Sequence, residues 1–122
     1  MRGRWYPFTL LEPEVQEVLK KNHFREPTPI QLLAIPKVLS GKNVLVIAPT
    51  GSGKTESVVL PILSLLVREK KRKKLKSVSI LYIAPMRALA KNITGRISKY
   101  AEESLGQMPN PLWGGIEMLG RR

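Results

Sequence analysis

Residues 43–57 read NVLVIAPTGSGKTES, and the change of character at Pro49 constrains the fold more than any other stretch of the chain. Val44, Leu45, Val46, Ile47 and Ala48 are apolar in succession, the pattern of a strand buried on both faces. Pro49 and the residues after it end the strand, and from Gly53 to about residue 67 the sequence reads as a helix, despite an internal Pro61 that local propensity would not choose. The turn between them has the spacing A-x-x-x-x-G-K-T from Ala48 to Thr55, a phosphate-binding loop with Ala in place of its first Gly. In such a loop Thr50, Gly51, Ser52 and Gly53 form a cradle, the two glycines letting successive N–H groups face phosphate oxygens while the helix adds its positive end. Lys54 would reach the β- and γ-phosphates, and Thr55 would offer its hydroxyl to Mg²⁺. The bland alternative is a Gly-rich turn ahead of a solvated lysine. The strand before, the helix after and Thr at the last position weigh against it.

The rest of the chain supplies alternating elements. Leu11, Val15, Val18 and Leu19 recur at three- and four-residue spacing after Thr9, which predicts an amphipathic helix over 10–22. A second helix is expected from Thr28, with Pro29 in its first turn, through Gln31, Leu32 and Ile35 to Leu39, bent at Pro36 and stopped by Gly41. SVSILYIAP, residues 77–85, reads as a second buried strand, and a fourth helix follows from Arg87 to about Leu105. Strand, helix, strand at this spacing is a βαβ unit, so the expected class is α/β with a parallel sheet flanked by helices.

Composition limits what such a domain can serve. The 122 residues suffice for one domain with one core, and the absence of Cys removes disulfides and thiolate metal sites. A lone His23 cannot make a zinc site. The longest apolar run, residues 57–67, is too short to span a bilayer, so no membrane partner and a cytoplasmic location are expected. The net charge of +12 favours polyanions. Half of it sits in REKKRKKLK at 68–76, which joins a helix to the next strand and so belongs at the end of the sheet opposite the phosphate loop. It reads as a solvated loop. Trp5, His23 and Trp113 have no constellation around them and read as packing residues.

Three motifs, in order and at matching spacing, resemble superfamily 2 helicases over roughly residues 8–100. PTPIQ at 27–31 is similar to their glutamine motif, APTGSGKTE to motif I, and YIAPMRALAKN at 82–92 to motif Ia. The resemblance implies a RecA-like nucleotide-binding domain, of which residues 1–104 would be the N-terminal half, preceded by the helical glutamine-motif segment. Residues 105–122, rich in Gly and Pro, would be a tail. Where DEAD-box RNA helicases carry P-T-R-E-L-A, this chain has Pro85, Met86, Arg87, Ala88, Leu89 and Ala90, without the glutamate. On that difference the chain looks more like the large helicase-related family of ATP-dependent DNA helicases, although Asn92 stands where that family more often has an acid.

The resemblance also assigns roles. ATP and Mg²⁺ would be the cofactors, Gln31 would read the adenine edge with its amide and Phe8 would stack on the base. Against this, Gln31 at a helix start can cap its own turn and Phe8 can pack in the core. Thr28 is a cap in either case. Pro85, Arg87, Ala88 and Lys91 would hold phosphates of single-stranded or partly duplex DNA, or of RNA, with Arg96 continuing the track. The cations among them can equally be solvated on an exposed helix face. Nothing after Tyr100 resembles motif II, the Asp-Glu pair that completes Mg²⁺ binding and activates water. Two functions follow as expectations: the ATP-binding portion of a helicase that needs a second polypeptide for turnover, or a nucleotide- and nucleic-acid-binding protein without hydrolysis. A small nucleotide kinase, which shares the loop, is disfavoured by the other two motifs.

Overall fold

The computed structural model describes residues 4–72 and 87–105, with the side chains of 87–94 and 105 outside that description. Four helices carry it: α1 (Pro13–Lys21), α2 (Pro29–Leu39), α3 (Lys54–Lys71) and α4 (Arg87–Leu105). α1 starts three residues later than its periodicity predicts. Residues Phe8–Leu10 form a 3-10 turn, Leu11 is extended, and Pro13 opens the helix, where its preset φ helps and its missing N–H costs nothing. The apolar spacing is respected: Leu11, Val15, Val18 and Leu19 are all buried. α2 begins and ends as predicted, with Thr28 as its extended N-cap and Pro36 inside it.

α3 is the central element, packed on α1, α2 and α4. Pro61 sits within it, fully buried, so packing has overridden local propensity. The helix also outruns its expected end near residue 67 and continues to Lys71. The start of the basic run is therefore helical and not a solvated loop. Arg68, Lys70 and Lys71 lie in the last turn, where cations complement the negative end of the helix. Arg68 reaches Glu12 at 3.7 Å, and Lys71 reaches both Glu12 and Glu14 at 3.0 Å. Hydrogen bonds to Glu12 and Glu14 hold the Lys71 ammonium above its ordinary pKa, whereas burial pulls Lys70 below it. The Glu12 N–H donates to Ser64 Oγ at 2.8 Å, pinning the head of α1 to α3.

The core gathers Phe8, the four buried residues that lead into and line α1, Ile35 of α2, Val59, Leu60, Leu63 and Val67 of α3, and Tyr100 and Ala101 of α4. Each large side chain among them contributes about 1.5–3 kcal/mol by leaving water. A chain of edge-to-face rings threads it, Trp5 to Phe8 to Phe24 to Tyr100, with centroids 5.4, 6.2 and 6.4 Å apart. Trp5 thus has the packing role expected of it.

Residues 42–49 depart from expectation. They carry no strand assignment, and all regular structure among the described residues is helical. Val44, Val46 and Ala48 are half-buried, while Leu45 and Ile47 are 84% and 81% exposed, so one side of the run is covered and not two. A strand is completed by neighbours that take up its N–H and C=O groups. The predicted neighbour, residues 77–85, lies outside the described residues, as does the tail at 106–122. No described helix is long and apolar enough to cross a membrane.

Candidate functional site

The loop from Ala48 to Thr55 is shaped by its glycines and by α2. The Ser52 N–H donates to the Pro49 carbonyl at 3.3 Å, and Gly51 and Gly53 take φ values of +84° and +83°, where a side chain is disfavoured. Gly53 is doubly required: a Cβ there would lie 2.5 Å from Gln31 Nε2. It is also the N-cap of α3, leaving the N–H groups of the next turn without helical partners.

Gln31 ties α2 to this loop. Its Oε1 accepts the Thr28 N–H at 2.9 Å, reaching back to cap its own helix, and its Nε2 donates to the Gly53 carbonyl at 3.2 Å. The capping alternative is what the geometry contains, with one amide hydrogen and one lone pair remaining. Phe8 corrects the expectation more firmly. At 0% exposure, edge-on to Trp5 and Phe24, it has no ring face open to a base and serves the core.

The polar groups of the loop itself are differently placed. Lys54, the first residue of α3, is exposed, and its ammonium donates to the Ala48 carbonyl at 2.9 Å, so the loop's last lysine closes on its first residue. Ser52 Oγ is buried without a hydrogen-bond partner among the described residues. Thr50 is exposed, and Thr55, half-buried, lines a groove of about 310 Å³ with Lys54, Val44, Val46 and Val58. The arrangement concentrates one cation, one orphaned hydroxyl and a helix N-terminus on a single turn, the equipment for binding an anion.

Of the predicted nucleic-acid contacts, Pro85 lies outside the described residues, while Arg87 opens α4 and Ala88 and Lys91 follow in its first two turns. The side chains of these three lie outside the description. Arg96 is half exposed but paired: its Nη1 donates to Glu56 Oε2 at 3.0 Å, and Tyr100 Oη donates to the same oxygen at 3.2 Å. Sequence reasoning missed this trio. The available signal was Arg96 and Tyr100 one helical turn apart, facing an acid in the first turn of another helix.

Comparison with known proteins decides the family. A DEAD/DEAH box helicase model matches residues 28–118. The chain belongs to that family. As a DEAD/DEAH box helicase chain it is 42% identical over 91 residues to the ATP-dependent RNA helicase dbp9 of Aspergillus clavatus, a match covering 74% of this chain and 15% of that protein. It is 43% identical over 84 residues to DBP9 of Ajellomyces capsulatus, covering 68% and 13%, and 40% identical over 84 residues to the RNA helicase ROK1 of Yarrowia lipolytica, covering 68% and 15%. The matched region thus spans about 15% of the length of these relatives. All three are named RNA helicases, so the expected kinship with DNA helicases finds no support in them. The missing motif Ia glutamate was a single residue; the likeness to the relatives runs over 91.

Proposed function

We propose that this chain supplies the ATP grip of an ATP-dependent RNA helicase, with the nucleotide's phosphates held on the loop from Thr50 to Thr55. The observation that carries the reading is the loop's unspent polarity: a buried Ser52 hydroxyl, unpartnered among the described residues, beside the first-turn N–H groups of α3 that lack helical partners. Lys54 now bonds a neutral carbonyl, and a phosphate oxygen is the stronger acceptor. Its ammonium would move to the β- and γ-phosphates while Gly51 and Gly53 keep the backbone donors inward. Thr55 is placed to offer its hydroxyl to Mg²⁺, whose contribution when bound is to neutralise charge on the phosphates. RNA as the polymer follows the names of the relatives. Arg87 and Lys91, with the start of α4, would hold its phosphates, and a second polypeptide would complete any turnover.

Lys54→Ala tests the grip. In a calorimetric titration with ATP·Mg²⁺ the variant should bind at least about tenfold more weakly than the parent, the loss expected for one charge-assisted contact. Equal affinities would remove Lys54 from the site. With ATP present, single-stranded RNA should bind more tightly than DNA of the same sequence. The reverse order would return the DNA reading.

A further inference from the structure

Glu56 is the third residue of α3 and follows Thr55 directly. Its carboxylate is only 11% exposed, and a charge so far out of water needs compensation. α4 supplies it twice, through Arg96 at 3.0 Å and Tyr100 at 3.2 Å. These two residues stand one turn apart on one face of α4. The tyrosine is itself 6% exposed, and its ring belongs to the core. Arg96 lies nine residues after Arg87, about 14 Å along the same helix.

A helix carries a displacement along its axis with little loss, and a charge pair desolvated on one side resists being pulled apart. From this geometry we infer that Glu56, Arg96 and Tyr100 form a strut joining the phosphate grip at the head of α3 to α4, whose start carries the proposed RNA contact. Arg96 is a positioning residue in it, acting through Glu56 on the adjoining Thr55. The inference rests on the reading of the loop as an ATP site and names the residues through which RNA binding alters that site. It assigns Arg96 to the nucleotide and not to the polymer. A coupling free energy is reciprocal, so RNA bound at α4 should tighten ATP, and ATP should tighten RNA, by the same factor.

The experiment uses the full 122-residue chain. ATP·Mg²⁺ affinity is measured by calorimetry with and without saturating single-stranded oligouridylate. RNA should tighten ATP about fivefold or more in the parent, the lower end of ordinary coupling. In Arg96→Met and Glu56→Gln the factor should fall below about twofold, each variant's own ATP affinity without RNA serving as its baseline. Arg96→Lys should restore part of the coupling, since it keeps the charge but not the planar fork. Thermal unfolding of each variant separates loss of coupling from loss of fold, and Tyr100→Phe, which keeps the core ring and deletes one hydroxyl, should lower the factor with the fold retained. Parental coupling persisting in Arg96→Met and Tyr100→Phe, or a parent that binds both ligands without coupling, overturns the inference. A parent that binds no ATP overturns the site reading beneath it, a failure visible before any variant is made.

Discussion

Gly53 answers three demands at one residue: a left-handed backbone, a carbonyl that accepts from Gln31, and no Cβ where the glutamine amide stands. Gly53→Ala should therefore cost at least about 1–3 kcal/mol from backbone strain alone, read as a lower urea midpoint with an unchanged slope. A shift under about 0.5 kcal/mol, the range of ordinary surface changes, would mean that α2 is not held against the loop. Gln31 is satisfied on both sides yet keeps one donor and one acceptor, enough for the N6 and N7 edge of adenine. Competition between ATP and GTP should favour ATP in the parent, and Gln31→Ala should reduce that preference. Equal binding of both by the parent would leave Gln31 a structural residue. Phe8 shows the limit of spacing as a guide. Distance along the chain from Gln31 cannot distinguish a ring at the rim of a site from one at the centre of a core, and burial assigns it to the core.

At the level of elements, the helices were readable because periodicity and punctuation agreed. The spacing of Val15, Val18 and Leu19 gave α1, and Thr28 with Pro29 gave the start of α2 to the residue. The far end of α3 was not readable, since the partners that recruit Arg68 and Lys71 are Glu12 and Glu14, more than fifty residues away in sequence. The run at 44–48 was legible as apolar, but not which of its sides would be covered, because that depends on neighbours. α3 rises about 1.5 Å per residue, so Lys71 stands about 25 Å along it from Lys54. Arg87→Ala should accordingly weaken RNA binding and lower its salt dependence, whereas Lys71→Met should change neither, and should cost stability by no more than about 1 kcal/mol as a surface pair. Fluorescence anisotropy across a salt series gives the ranking, and the opposite order would place the RNA on the basic end of α3. The strut has a pH signature of its own. Burial, then the nearby Glu56 charge, pushes the Tyr100 hydroxyl from 10.0 up to about 12. A raised pKa means that the folded state holds its proton more tightly, so this stabilisation is whole below pH 10 and lost as pH rises towards about 12. The unfolding midpoint of the parent should fall more steeply across that window than that of Tyr100→Phe. Parallel curves would show that burial and Glu56 together do not hold the Tyr100 proton.

For the molecule as a whole, the described residues carry the proposed grip for phosphates but commit Glu56, the acid that follows the loop, to Arg96 and Tyr100. A carboxylate so engaged is not a base for an attacking water, so Glu56 does not supply that base, and with no motif II pair recognised in the sequence little ATP turnover is expected from these 122 residues by themselves. Phosphate release, with and without RNA, should match that of Lys54→Ala; RNA-stimulated release by the parent alone would show that the chain carries its own water-activating group. Leu33, Leu45 and Ile47, exposed along residues 44–47 and the neighbouring face of α2, are apolar surface that burial would stabilise. Amide chemical shifts report most directly whether the loop holds the phosphates. On titration of the isotopically labelled chain with ATP·Mg²⁺, the largest changes should fall on the N–H groups of Gly51, Ser52, Gly53, Lys54 and Thr55, with the amides of 68–72 nearly still. Largest changes at 68–72, or a loop that does not respond, would contradict the proposed grip.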